Sequence, residues 1–125
     1  MKNIFLLAPT TPNERIQKIN QLASGFLYYV SRLGVTGVRD NLDPKLEERL
    51  KEVKQLCSLP LAVGFGISNP QQIRKLVPLC DGIVVGSAIV QRIKEGDPLE
   101  KTVEIVTSFV RNLTRELKHA PQVKA

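Results

Sequence analysis

Leu61-Ala-Val-Gly-Phe-Gly-Ile-Ser-Asn-Pro70 is the stretch whose reading decides the fold. Leu61 to Gly64 is an apolar run of strand length, introduced by Pro60 and closed by a glycine. A second glycine, Gly66, follows. Ser68-Asn-Pro-Gln71 then has the form of a capping box, with Pro70 inside the first helical turn. A strand that passes through a glycine turn into a capped helix is a βα unit. Towards the C-terminus the same pattern repeats. Ile73, Leu76 and Val77 make the apolar side of the helix, and Pro78 ends it. Gly82-Ile-Val-Val-Gly86 is the next strand, and Ser87 opens a short helix to about Lys94. Gly96-Asp97-Pro98 breaks the chain and caps a last long helix, with Val103, Val106, Val110, Leu113 and Leu117 in step. The tail from His119 has little pattern and is expected to fray.

Towards the N-terminus, Asp43-Pro44 starts a helix with Leu46, Leu50, Val53 and Cys57 on one face. Before it lies a polar loop from Arg32 to about Leu42. Phe26 to Ser31 is a strand carrying Tyr28 and Tyr29. Ile4 to Ala8 is another. Thr11 is expected to cap the helix between them, with Pro12 at its first position and Glu14 completing a box. Ile16, Ile19, Leu22 and Ala23 follow at helical spacing, and Gly25 ends that helix. The order is therefore β-α-β-α-β-α-β-α. The strands are near-continuous apolar runs, which suits parallel strands covered on both faces. The fold class is α/β: four consecutive βα units with a parallel sheet and right-handed crossovers. Since eight such units take roughly 250 residues, this is half of a (β/α)₈ TIM barrel. It is expected over residues 1–118, with 119–125 as tail.

The bulk numbers agree with one globular domain. The chain has 125 residues, 42% of them apolar, enough for a core. Aromatics are only 5% and Trp is absent, which argues against the stacking platforms of a single-stranded nucleic-acid binder. The net charge of +6 is spread beside acidic residues, as in Glu47-Glu48-Arg49, and reads as solvated helix faces rather than a nucleic-acid footprint. Such a field still favours an anionic metabolite. Cys57 and Cys80 match no metal spacing, and a single histidine cannot complete a site. No metal is expected, and free thiols point to a reducing cytosol. The apolar run Ile4 to Ala8 is too short for a signal peptide or a membrane span. A cytoplasmic location with no membrane partner is expected.

Three glycine-rich segments fall at the C-terminal ends of strands: Gly34-Val-Thr-Gly37, Gly64-Phe-Gly-Ile-Ser68 and Gly86-Ser87-Ala88. A phosphate dianion needs convergent N–H donors with no side chain in the way. Glycine allows close approach and positive φ, and a helix N-terminus adds free N–H groups. In barrels the usual phosphate site lies after strands seven and eight, beside a short extra helix; the segment from Ser87 to Lys94 has that place. Taken singly, each glycine is only a turn and Ser87 only a cap; the combination is specific. Tyr28 and Tyr29 alternate across a strand, one towards the sheet interior and one towards the helices. The loop from Arg32 to Leu42 exceeds the usual connection of about 4–6 residues, and reads as a lid or as a disordered insertion. The lid is favoured because Gly-x-Thr-Gly reaches towards a ligand. No catalytic constellation stands out among Asp40, Asp43, Asp81, Glu95 and His119. There is no Walker motif and no dinucleotide fingerprint.

Phe26-Leu-Tyr-Tyr-Val-Ser-Arg-Leu-Gly-Val-Thr-Gly37 closely resembles the sixth strand and loop of the tryptophan synthase alpha subunit family. Leu61 to Pro70 is similar to its seventh strand and turn, Gly82 to Val90 to its eighth, and Ile4 to Pro12 to its fifth. The resemblance covers nearly the whole chain. It implies a barrel that cleaves indole-3-glycerol phosphate to indole and glyceraldehyde 3-phosphate, with indole passed to a beta subunit that carries the PLP. This chain itself would then need no cofactor. The resemblance implies phosphate contacts at the backbone of Gly37, Gly66, Gly86 and Ser87, places Thr36 on the loop that closes over the site, and puts Tyr28 and Phe65 near the substrate pocket. It also implies that both catalytic carboxylates lie on the half that is missing here, so no catalytic residue is assigned and the chain alone is expected to be inactive. The beta-contacting loops lie largely in that half too, which puts the beta partnership in doubt. Half a barrel has two open edges and a bare inner face. Self-association, or a complementary N-terminal half, is the expected partner besides a phosphate ester.

Overall fold

Each apolar run of the sequence is a strand, and each strand pairs in parallel with the next along the chain. The computed structural model describes residues 1–31, 43–64 and 66–118. Its elements are β1 (Phe5–Leu7), α1 (Asn13–Leu22), β2 (Leu27–Val30), α2 (Pro44–Leu56), β3 (Leu61–Gly64), α3 (Pro70–Leu76), a 3₁₀ turn (Val77–Leu79), β4 (Gly82–Val84), α4 (Ser87–Val90) and α5 (Leu99–Lys118). The sheet order is β1-β2-β3-β4. This is the half (β/α)₄ arrangement expected of a TIM-barrel-like α/β fold.

Alternation sorts the strand residues onto two faces. Leu7, Leu27, Tyr29, Leu61 and Val63 are buried under the helices, against Ile16, Leu46, Leu50, Val53, Ile73, Leu76, Phe109 and Leu113. The opposite face carries Leu6, Tyr28, Ala62 and Gly82 along one row, with Val30, Gly64 and Val84 along the next. The two tyrosines part as their alternation requires. The Tyr29 hydroxyl is buried without a hydrogen bond of good geometry. Burial raises its pKa, and the neighbouring Arg49 guanidinium opposes part of that rise. Arg49 itself ties α2 to the start of α1, donating to the Thr11 carbonyl at 2.6 Å and to Asn13 Oδ1 at 2.5 Å.

Helix starts and stops differ in detail from the sequence expectations. Asp43 caps α2 as expected, accepting from the Lys45 N–H at 2.9 Å. Thr11 does not cap α1; its hydroxyl turns back to accept the Ala8 N–H at 2.9 Å, and Pro12 takes the N-cap position. The helix ends at Leu22, and Gly25 makes its turn three residues later, with φ of 95°. The capping box of α3 lies one residue further on than expected. Asn69 accepts from the Gln72 N–H at 3.0 Å, and Gln72 Oε1 accepts from the Ser68 and Asn69 N–H groups. α4 is one short turn rather than a helix to Lys94. The Arg92 guanidinium donates to the Ala88 carbonyl, the oxygen its own N–H would take in a continuing α-helix, and that N–H bonds Ile89 instead. On α5 the buried line runs through Phe109 and Leu113, while Val103 and Leu117 remain about half exposed (54% and 46%). The helix packs on α3, with Glu116 on Arg74 at 2.9 Å, and this leaves part of its apolar stripe uncovered.

Candidate functional site at the C-terminal ends of the strands

A parallel sheet brings the C-terminal ends of all its strands to one end of the molecule. Gly64 ends β3, and Gly86 lies two residues beyond β4. The two strands are neighbours, with Gly64 facing Val84 in register. The end of β2 joins them through the Ser31 N–H, which donates to the Gly64 carbonyl at 3.1 Å. Gly66 follows β3 and is half-buried. The Gly86 carbonyl accepts from the Ile89 and Val90 N–H groups at 2.9 and 3.1 Å, so it forms the cap of α4. In such a turn the N–H groups of Ser87 and Ala88 have no intrahelical acceptor.

The two principal glycines do different jobs. Gly86 has φ of −122°, so the left-handed conformation anticipated from sequence is not used there. A Cβ at this position would meet nothing within 4 Å. Gly86 and Ser87 are both exposed, and the missing side chain leaves their backbone open to an approaching group. Gly64 is required by a contact. A Cβ there would collide with the Tyr28 hydroxyl and stand 2.9 Å from its Cζ. The Tyr28 ring therefore lies over the end of β3, on the face away from the helices. Tyr28, Gly66, Gly86 and Ser87 thus belong to one end of the sheet. Gly37, Thr36 and Phe65 lie outside the described residues.

Sequence reasoning missed the pair that holds α4. The Arg92 guanidinium stacks on the Phe109 ring, 3.4 Å from its centroid, while bonding the Ala88 carbonyl at 2.6 Å. The turn carrying Gly86 and Ser87 is in this way clamped to α5. The signal was present in the spacing of Val106, Phe109 and Leu113 on one helix face.

Several of the other titratable groups have structural partners. Asp81 sits at the N-terminal end of β4, opposite the glycine turns; its carboxylate accepts the Leu61 N–H at 2.9 Å and meets Lys54 at 3.4 Å. Glu14 pairs with Lys18 and Asp97 with Lys101 on exposed helix surfaces. Cys57 and Cys80 are free thiols. Burial, with Asp81 adding to it, pushes Cys80 up to about 11, which makes it inert near neutrality. Among the described residues no cluster of metal-ligating side chains occurs, and no helix is long and apolar enough to cross a membrane.

Known proteins resemble this chain in sequence and in arrangement. A family model described as "Tryptophan synthase alpha chain" matches residues 1–120. The tryptophan synthase alpha chain of Geobacillus kaustophilus is 45% identical over 124 residues, covering 94% of this chain and 46% of its own length. That of Opitutus terrae is 45% identical over 107 residues, covering 84% of this chain and 40% of its own. Among solved structures, the tryptophan synthase α2β2 complex of Pyrococcus furiosus contains a chain that superposes with a TM-score of 0.81 at 35% identity, over 92% of this chain and 46% of that one. The chain spans about half the length of the relatives it matches. With nearly all of its own length matched, it belongs to the tryptophan synthase alpha chain family.

Proposed function

We propose that the chain is the C-terminal half of a tryptophan synthase alpha chain, units five to eight of the barrel. In this reading it holds the phosphate of indole-3-glycerol phosphate or glyceraldehyde 3-phosphate at the backbone of Gly66, Gly86 and Ser87, with Gly37 completing the cradle. Thr36 belongs to the covering loop, and Tyr28 and Phe65 line the pocket. The observation that carries this reading is the open backbone at Gly86 and Ser87, beside the glycine turn of the neighbouring strand. Free N–H groups facing unobstructed space are what a phosphate oxygen needs. Titrating glyceraldehyde 3-phosphate into ¹⁵N-labelled protein should move the Gly66, Gly86 and Ser87 amide signals and leave those of α1 unmoved. Amides that stay put at saturating ester remove the reading.

The family reaction breaks a carbon–carbon bond. A base must take the glycerol hydroxyl proton, and an acid must protonate the indole carbon that is released. In the proposed half-chain no described residue supplies either group. Asp43 is spent on its cap, and Asp81 lies at the wrong end of the sheet. A positioned acid or base is worth about 10²–10⁴-fold each. The purified chain is therefore expected to bind the ester without cleaving it, a non-catalytic half-barrel. Indole released from indole-3-glycerol phosphate above the buffer rate would overturn that part.

A further inference from the structure

Two chains of hydrogen bonds run through α4 to the Gly86 carbonyl, and both start at Arg92. A carbonyl and the N–H that follows it belong to one planar peptide unit, so a bond received at the first strengthens the bond given by the second. The Arg92 guanidinium donates to the Ala88 carbonyl at 2.6 Å. The N–H of that unit, on Ile89, donates to the Gly86 carbonyl at 2.9 Å. By the second route the Arg92 N–H donates to the Ile89 carbonyl at 3.0 Å, and the Val90 N–H of that unit reaches the same Gly86 carbonyl at 3.1 Å. The Gly86 carbonyl shares its peptide unit with the Ser87 N–H, which has no acceptor within the turn.

The Ala88 N–H is free in the same way but lies on another chain. Its unit receives the Gln91 N–H at the Ser87 carbonyl at 2.9 Å, and the Gln91 unit receives the Ile93 N–H at the Val90 carbonyl at 3.0 Å. Every donor on that chain is a neutral amide. The charge at the head of the Ser87 chain is held firmly. The Arg92 guanidinium lies on the ring of buried Phe109, 3.4 Å from its centroid. Arg49 and Arg74 are each paired with a glutamate. Among the described residues no carboxylate pairs with Arg92. α4 is a single turn, too short for peptide dipoles to add up along it. Charge that reaches Ser87 has to come from a side chain.

We propose that Arg92 is a positioning residue for the phosphate anchor: it fixes the turn and polarises the Gly86–Ser87 peptide unit, which makes the Ser87 N–H a stronger donor to a phosphate oxygen than the Ala88 N–H beside it. The inference rests on the proposed function for its ligand. A charged donor makes a hydrogen bond stronger than a neutral one does, and bonds linked in a chain strengthen one another by roughly 10–30% each. The anion is thus held by backbone alone, while a cation two peptide units away sets how strongly that backbone donates.

The test compares ¹⁵N spectra of the ligand-free native chain, Arg92→Leu and Arg92→Lys, and then titrates each with glyceraldehyde 3-phosphate. Arg92→Leu keeps an apolar cover on Phe109 and removes the donor. Its Ile89 and Ser87 amide protons should move upfield, as weaker donors do, and its Ala88 amide should move less. Its Kd for the ester should rise by about two- to fivefold, the lower part of what one neutral hydrogen bond is worth. Arg92→Lys keeps a charged donor and should return the Ser87 amide towards its native position. Ser87 and Ala88 amides that move alike in Arg92→Leu, a Kd that it leaves unchanged, or an Arg92→Lys spectrum that matches the Arg92→Leu one each overturn the inference and leave the proposed function standing. A native chain whose amides ignore the ester removes the proposed function, and this inference with it. Should Arg92→Leu lose its far-ultraviolet circular dichroism, Phe109→Leu unseats the guanidinium in its place, with the same order of amide shifts expected and the same outcomes decisive.

Discussion

At Gly64 an added Cβ would run into the Tyr28 ring, with Cζ 2.9 Å away. The obstacle is the far end of a side chain on the bare face, so the ring can swing aside. Gly64→Ala is expected to cost about 1 kcal/mol, the low end for an overpacked site. The double variant Gly64→Ala with Tyr28→Ala should show coupling, the second change relieving the first; urea unfolding of all four chains measures it. Cys80 gives a second prediction at this scale. Below pH 9 its thiol is protonated in the folded and unfolded chain alike. Above that, the unfolded chain gains a thiolate, while the folded one holds its proton up to about 11. Stability should fall by about 3 kcal/mol across that window, and Cys80→Ala should flatten the slope of urea midpoint against pH. Tyr29, also raised by burial, adds a loss of the same sign. Individual residues were legible where one chemical group had one partner to choose. Asp43 before a proline could only cap. Thr11 had two choices, a helix start or a turn closing on Ala8, and nothing local in the sequence separates them.

Among the elements, α3 shows why boundaries slip by one. Ser68 and Asn69 are both good caps, and Gln71 and Gln72 both reach back far enough. The structure uses the second of each pair, which buries Gln72 and Ile73 together. Asn69→Ala should therefore cost about 1 kcal/mol, while Gln71→Ala should leave the urea midpoint unchanged; the opposite pattern would restore the register first expected. Strand identity and order came through in the sequence because each apolar run was bounded by glycine or proline. The shortening of α4 did not, since it depends on Arg92 finding Ala88 and Phe109 at once. The stripe on α5 was legible as a pattern, yet its burial depends on neighbours: α3 and the Arg92 turn cover the line through Phe109 and Leu113, while Val103 and Leu117 stay about half exposed.

For the molecule as a whole, the candidate site was legible as a set of turns at one end of a sheet, and the family followed from the strands that carry them together with Phe26 to Gly37 and Ile4 to Pro12. Their assignment to phosphate came from glycine chemistry and family likeness together. What covers the bare face has no signature in one chain, because an interior row and an interface row have the same composition. The sequential strand order also bears on how the chain reaches its structure. Paired positions in β1–β2 and in β3–β4 stand roughly 20 residues apart, and those in β2–β3 roughly 34, a difference in closure entropy of about 0.5 kcal/mol. No pairing has to wait for the two ends of the chain to meet. Two βαβ pieces can form early, each on local contacts, with docking of β2 on β3 as the step that makes the core cooperative. Mutations at Leu27 or Leu61, which meet across that seam, should then slow folding more than equally damaging changes in α5.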